Sequence, residues 1–119
     1  MKTVNRRQRG NEGESLAVDY LRKKGYRILE RNFRFERGEI DIIAEENDTL
    51  VFVEVKARRS LQYGEPEDAV TDAKCERIRN IADGYLFING IEDKSCRFDI
   101  IAIRFEKGKV NFNHIEDAF

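Results

Sequence analysis

The chain has 119 residues, of which 40% are hydrophobic and 38% charged. That is the length of one domain, with enough apolar content for its own core and a densely charged surface. No apolar run approaches the roughly 18 residues of a membrane span, and one histidine with two cysteines, Cys75 and Cys96, excludes a centre built from His and Cys ligands. The net charge of −1 is uneven: residues 1–37 carry 11 Lys and Arg against 5 Asp and Glu, net +6, and the remainder is net −7. A basic front end suits a polyanion, while the acidic balance of the whole argues against tight non-specific binding to duplex DNA.

Met1 to Gly10 is polar and basic and reads as a flexible arm ahead of a single domain over 11–119. It lacks the apolar core of a signal peptide, so a cytoplasmic protein with reduced cysteines is expected. Asn11 is placed to cap a helix, with Glu12 and Glu14 in its first turn, and Gly25 to close it. Tyr26 to Phe35 then reads as a strand and "ERGE" as a turn, followed by strands over about 39–45 and 50–58. "SLQYGEP" is a loop whose Pro66 fits the first turn of a second helix. That helix runs to about Phe87 with an apolar stripe of Val70, Ala73, Ile78, Ile81, Ala82 and Tyr85. "CRFDIIAIRF" is a strand, "EKGK" a turn and "VNFNHIEDAF" a last strand.

The two strands over 39–58 carry acids where a core is expected. Alternation puts Leu50, Phe52, Glu54, Lys56 and Arg58 on one face, with Glu54 and Lys56 about 7 Å apart. Asp41 shares its face with Ile43 and Glu45. If Asn47-Asp48 forms a two-residue hairpin loop, paired residue numbers sum to 95 and Asp41 falls opposite Glu54. Two carboxylates with Cβ atoms about 5 Å apart repel, unless a cation lies between them. Hard cations take carboxylate and carbonyl oxygens plus water, and a neighbouring lysine can orient a water or offset charge on a phosphate. The same three residues also fit a plain salt-bridge cluster on a solvated sheet face.

Gly38-Glu39-Ile40-Asp41, then a 12-residue gap and Glu54-Val55-Lys56, resembles the signature of the PD-(D/E)XK nuclease superfamily. More narrowly, "GNEGESLAVDYLRKKGYRILERNFR", "GEIDIIA", "LVFVEVKAR", "EDAVTDAKCERI", "FDIIAI" and "HIEDAF" resemble the YraN-like family of small bacterial proteins, and the chain is similar to archaeal Holliday-junction resolvases. The resemblance implies an α/β fold of restriction-endonuclease type, a mixed central sheet flanked by helices in the order α-β-β-β-α-β-β. It implies an endonuclease hydrolysing DNA with Mg²⁺ or Mn²⁺, acting on branched or flapped DNA. Asp41, Glu54 and the carbonyl of Val55 would hold the metal, Lys56 would position the attacking water, and Glu14 would complete the site. Resolvase-like relatives imply a homodimer, and DNA processing implies a protein partner. The alternative that stays open is a nucleic-acid-binding or adaptor module on the same scaffold without catalysis.

Other candidates follow from chemistry alone. Arg58 and Arg59 follow the acidic strand, and Arg6, Arg7 and Arg9 precede the first helix; all five suit phosphate. Lys74 interrupts the second helix's stripe, where it either reaches a phosphate or the acids, or snorkels. Glu14 sits at the margin of the first helix's apolar face, or simply complements that helix's N-terminus. Glu39 faces away from Asp41 in a regular strand, Tyr63 and Gly64 open the loop after the site, and His114 reads as structural.

Overall fold

The computed structural model describes the backbone of residues 6–59 and 70–119, with side chains from Glu12 onward. The elements are α1 (Arg6–Lys23), β1 (Arg27–Phe35), β2 (Gly38–Glu46), β3 (Thr49–Arg58), α2 (Asp72–Ile88), β4 (Ser95–Glu106) and β5 (Lys109–Ile115). Their order is the expected one. The strands form a single sheet in the order β1-β2-β3-β4-β5, antiparallel except for the β3–β4 pair. A parallel neighbour needs a crossover, and α2 supplies it.

Each face of the sheet carries one helix. Ala17, Val18 and Leu21 of α1 pack on Ile42, Ala44, Val51, Val53, Ile101 and Ile103. On the other face Ile78, Ile81, Ala82 and Tyr85 of α2 pack on Ile40, Ile43, Leu50 and Phe52. With both faces covered, β3 and β4 read as near-continuous apolar runs rather than alternating ones. Close approach of α1 to the sheet depends on Gly13, where a Cβ would lie 3.1 Å from Ala57 Cβ.

Both helix starts differ from expectation. α1 begins at Arg6, so Asn11 lies inside it and Arg6 to Gly10 belong to the helix; residues 1–5 of the expected arm lie outside the described residues. Arg and Gln are good helix formers, which lets the helix run upstream of the cap signal. Its other end is as read: Gly25 takes φ +93°, and Tyr26 and Gly25 N–H groups bond the carbonyls of Leu21 and Arg22. α2 starts at Asp72, with Thr71 as N-cap accepting from the Lys74 N–H. Val70 therefore precedes the helix, Ala73 is exposed, and buried Cys75 takes a place on the stripe. Pro66 lies outside the described residues. Cys75 is buried and Cys96 exposed, and both are free thiols. No helix among the described residues is long and apolar enough to cross a membrane.

Candidate active site

The β2–β3 hairpin has the expected register. Ile42↔Val53, Ile43↔Phe52, Ala44↔Val51, Glu45↔Leu50 and Glu46↔Thr49 pair across a turn in which Asn47 takes φ +54°. The pairing ends at Ile42↔Val53, one step before Asp41 would meet Glu54. β3 continues beside β4 as far as Arg58↔Arg104. β2 and β3 thus part beyond this point, and the Asp41 carboxylate fills the opening: its Oδ2 accepts the Val55 N–H at 2.8 Å.

Strict alternation fails here, and the failure builds the site. Ile42 and Ile40 should share a face, yet Ile42 packs under α1 and Ile40 under α2. On the neighbouring strand Arg31 reaches Ser15 of α1, whereas Phe33 packs against Tyr85 of α2. Between them Asn32 adopts φ +53°, a left-handed conformation that Asn tolerates better than most residues. The face changes at Asn32 in β1 and at Asp41 in β2, so Asp41 feels charges from both helices.

The acids are crowded and poorly hydrated. Burial first, then Glu54 and Glu14, push the Asp41 carboxyl up to about 8, against the pull of the Val55 N–H and Lys74. Glu14 is 9% exposed and its Oε2 is buried without a hydrogen-bond partner. Burial raises its pKa, with Glu39 and Glu54 adding to the rise and Asn32 and Arg31 opposing it. Because α1 begins at Arg6, Glu14 lies more than two turns inside the helix. It is too far from the end to serve the helix terminus, and it leans towards the sheet. Glu39 pairs with Arg34 at 3.5 Å and is near enough to raise Glu14.

Two lysines face Glu54, whose side chain is only 5% exposed. Its Oε1 lies 2.5 Å from Lys74 Nζ and 3.5 Å from Lys56 Nζ. Glu54 and Lys56 share a strand face, and Lys74 arrives from the first turn of α2. The Lys56 pKa is lowered by burial and then by the adjacent Lys74; that of Lys74 is raised, since its desolvation is outweighed by Glu54, Lys56 and Asp41 together.

The donor set suits a hard cation: crowded carboxylates that push the Asp41 and Glu14 carboxyls up, and an orphaned carboxylate oxygen on Glu14. Among the described residues no three His, Cys, Asp or Glu side chains form a ready-made cage. Two carboxylates and a carbonyl can suffice for Mg²⁺, which keeps several of its waters.

The expected phosphate contacts divide. Arg58 donates to the carbonyl of Ala57 at 3.0 Å. Arg59 lies over the Phe105 ring at 4.6 Å and meets Glu12 at 3.3 Å. It lines a cleft of about 480 Å³ with Leu16, Lys107, Lys109 and Val110. The side chains of Arg6, Arg7 and Arg9 lie outside the described residues, as do Tyr63 and Gly64.

A second polar centre was not anticipated. Asp99 is fully buried; it accepts from Arg97 through both oxygens at 2.9 Å, from Asp117 N–H at 3.1 Å, and pairs with His114 Nε2 at 2.7 Å. Arg97 also donates to Tyr26 Oη and Glu46. His114 is thus part of a structural clamp, as its reading suggested. An acid inside "FDIIAI" is the same signal that drew attention to Asp41, here with its partners supplied.

A small α/β domain with an acid–lysine cluster where two strands part is what the geometry defines. The chain belongs to the family described as Uncharacterised protein family UPF0102, whose match spans residues 13–103. It is 48% identical over 113 residues to the UPF0102 protein of Syntrophomonas wolfei, covering 95% of this chain and 98% of the relative. It is 51% identical over 113 residues to that of Persephonella marina, covering 93% and 92%. With the protein from Alkaliphilus oremlandii the identity is 50% over 112 residues, covering 92% and 96%. The YraN-like resemblance is borne out at the level of this family.

Proposed function

We propose that this protein is a metal-dependent endonuclease of restriction-endonuclease-like fold that hydrolyses DNA phosphodiester bonds. The observation that carries the reading is the mutual crowding of Asp41, Glu54 and Glu14 beside two lysines at the point where β2 and β3 separate. Three half-buried or buried acids held close together carry a cost in repulsion and desolvation, and a site for a divalent cation gives them a chemical reason.

Asp41, Glu54 and the Val55 carbonyl would hold Mg²⁺ or Mn²⁺. Such an ion, when bound, supplies a more acidic water and offsets charge on the phosphoryl oxygens. Lys56, with its pKa lowered, orients the attacking water and stabilises the added charge. Glu14 carries an unengaged oxygen suited to a proton or to a second water. The cleft of Arg59, Lys107 and Lys109 offers cations for the DNA backbone, with Phe105 as an apolar floor.

A non-catalytic nucleic-acid-binding module is the second reading. The Lys74–Glu54 pair favours it, because it satisfies one acid without any metal. The test is to incubate the protein with single-stranded, duplex, flapped and four-way-junction DNA in Mg²⁺ or Mn²⁺. Cutting that Asp41→Ala and Lys56→Ala both abolish supports the nuclease. Binding without cutting in every metal refutes it in favour of the module.

A further inference from the structure

Resting on the reading of Asp41 and Glu54 as a cation site, we infer that Lys74 is that site's built-in counter-ion. Its ammonium holds Glu54 while no metal is present, and a divalent cation displaces it.

The Glu54 side chain is buried, and a carboxylate removed from water needs a positive partner. Lys56 at 3.5 Å is too long for a strong charge-assisted hydrogen bond, while Lys74 at 2.5 Å makes one. Both reach the same oxygen, Oε1, so a cation bound there competes with Lys74 directly. Lys74 is the one built to leave. Its backbone is fixed by the cap, with its N–H on Thr71 Oγ1 at 3.3 Å. Its side chain is 31% exposed, against 20% for Lys56, so the ammonium has water to move into. A lysine on α2 thus keeps the acidic strand folded in the metal-free state, and its removal sharpens the site's appetite for metal.

The experiment is a calorimetric titration of Mn²⁺ into chelator-stripped wild-type, Lys74→Met and Lys74→Gln proteins, each checked for folding by thermal melting. Both variants are expected to bind Mn²⁺ about tenfold tighter than wild type, the size of one strong pairwise coupling. Their metal-free melting temperatures are expected to fall, with Mn²⁺ restoring them. Affinity that is unchanged or weaker in both variants, while wild type binds Mn²⁺, overturns the inference and leaves the cation site standing. No Mn²⁺ binding by any of the three proteins overturns the cation site itself, and this inference with it.

Discussion

Replacing Asp41 with Asn removes a charge that the fold holds at a loss. The amide keeps an oxygen for the Val55 N–H, which Asp41 now receives at 2.8 Å, and it deletes a carboxyl displaced from 3.8 to about 8. In the unfolded chain that carboxyl ionises near its ordinary value; in the native state it keeps its proton until about pH 8. Folding therefore takes up a proton across this window, and stability falls as pH rises through it. The penalty is absent below the unfolded value and complete above the folded one. At about 1.4 kcal/mol per pKa unit, and discounted heavily for water reaching the strand opening, it amounts to roughly 2 kcal/mol. Urea unfolding in metal-free buffer from about pH 5 to about pH 9 measures it. Asp41→Asn should gain on wild type steadily with pH and exceed it by roughly 2 kcal/mol at the alkaline end. Added Mn²⁺ should stabilise wild type and not the variant. A gap that stays flat with pH, or a wild type that is the more stable at the alkaline end, refutes the reasoning.

Three further outcomes are expected. Replacing Arg59, Lys107 and Lys109 together with Ala should weaken DNA binding and reduce the salt dependence, measured as log K against log salt, by about 2 to 3. An unaltered slope would remove the cleft from the DNA path. Asp99→Ala should destabilise by about 3–5 kcal/mol in denaturant titration, because half-buried Arg97 and the His114 ring both lose their partner. Burial alone would raise the Asp99 pKa, but His114, Arg97 and the Asp117 N–H outweigh it and hold it low. The clamp's stabilisation is therefore present at neutral pH and lost as pH falls below the ordinary carboxylate value, so the variant's deficit should shrink in acid. Gly84→Ala, which on helix propensity alone should stabilise α2, should instead cost about 1–3 kcal/mol in the same titration. The added Cβ would lie 2.6 Å from the Phe35 ring.

Local signals carried the element order and the central hairpin. Asn47-Asp48 set a register that every observed β2–β3 pair obeys, because a two-residue loop leaves little freedom. Gly25 ended α1 where expected, since a left-handed residue there suits glycine. The parts that were not legible depend on distant residues or on irregular backbone. Alternation placed Asp41 beside Ile43, but the left-handed Asn32 and the end of the pairing at Ile42↔Val53 turn it into the gap instead. The sequence leaves Lys74 either reaching a phosphate or the acids or snorkelling, and only α2 laid across Glu54 decides for the acids. The sequence leaves Glu14 either leaning towards the sheet or serving the helix end, and only the start of α1 at Arg6 decides between them. The Asp99 clamp joins positions as far apart as Tyr26 and His114 through Arg97 and Asp99, and no spacing rule connects them.

The most direct measurement is a crystal of the full chain grown with Mn²⁺ and examined by anomalous scattering. A peak within about 2.2 Å of oxygens of both Asp41 and Glu54, with Lys74 withdrawn from Glu54, is the predicted result. Density showing Lys74 still bonded to Glu54 at saturating Mn²⁺, with no anomalous peak beside Asp41, would contradict the account.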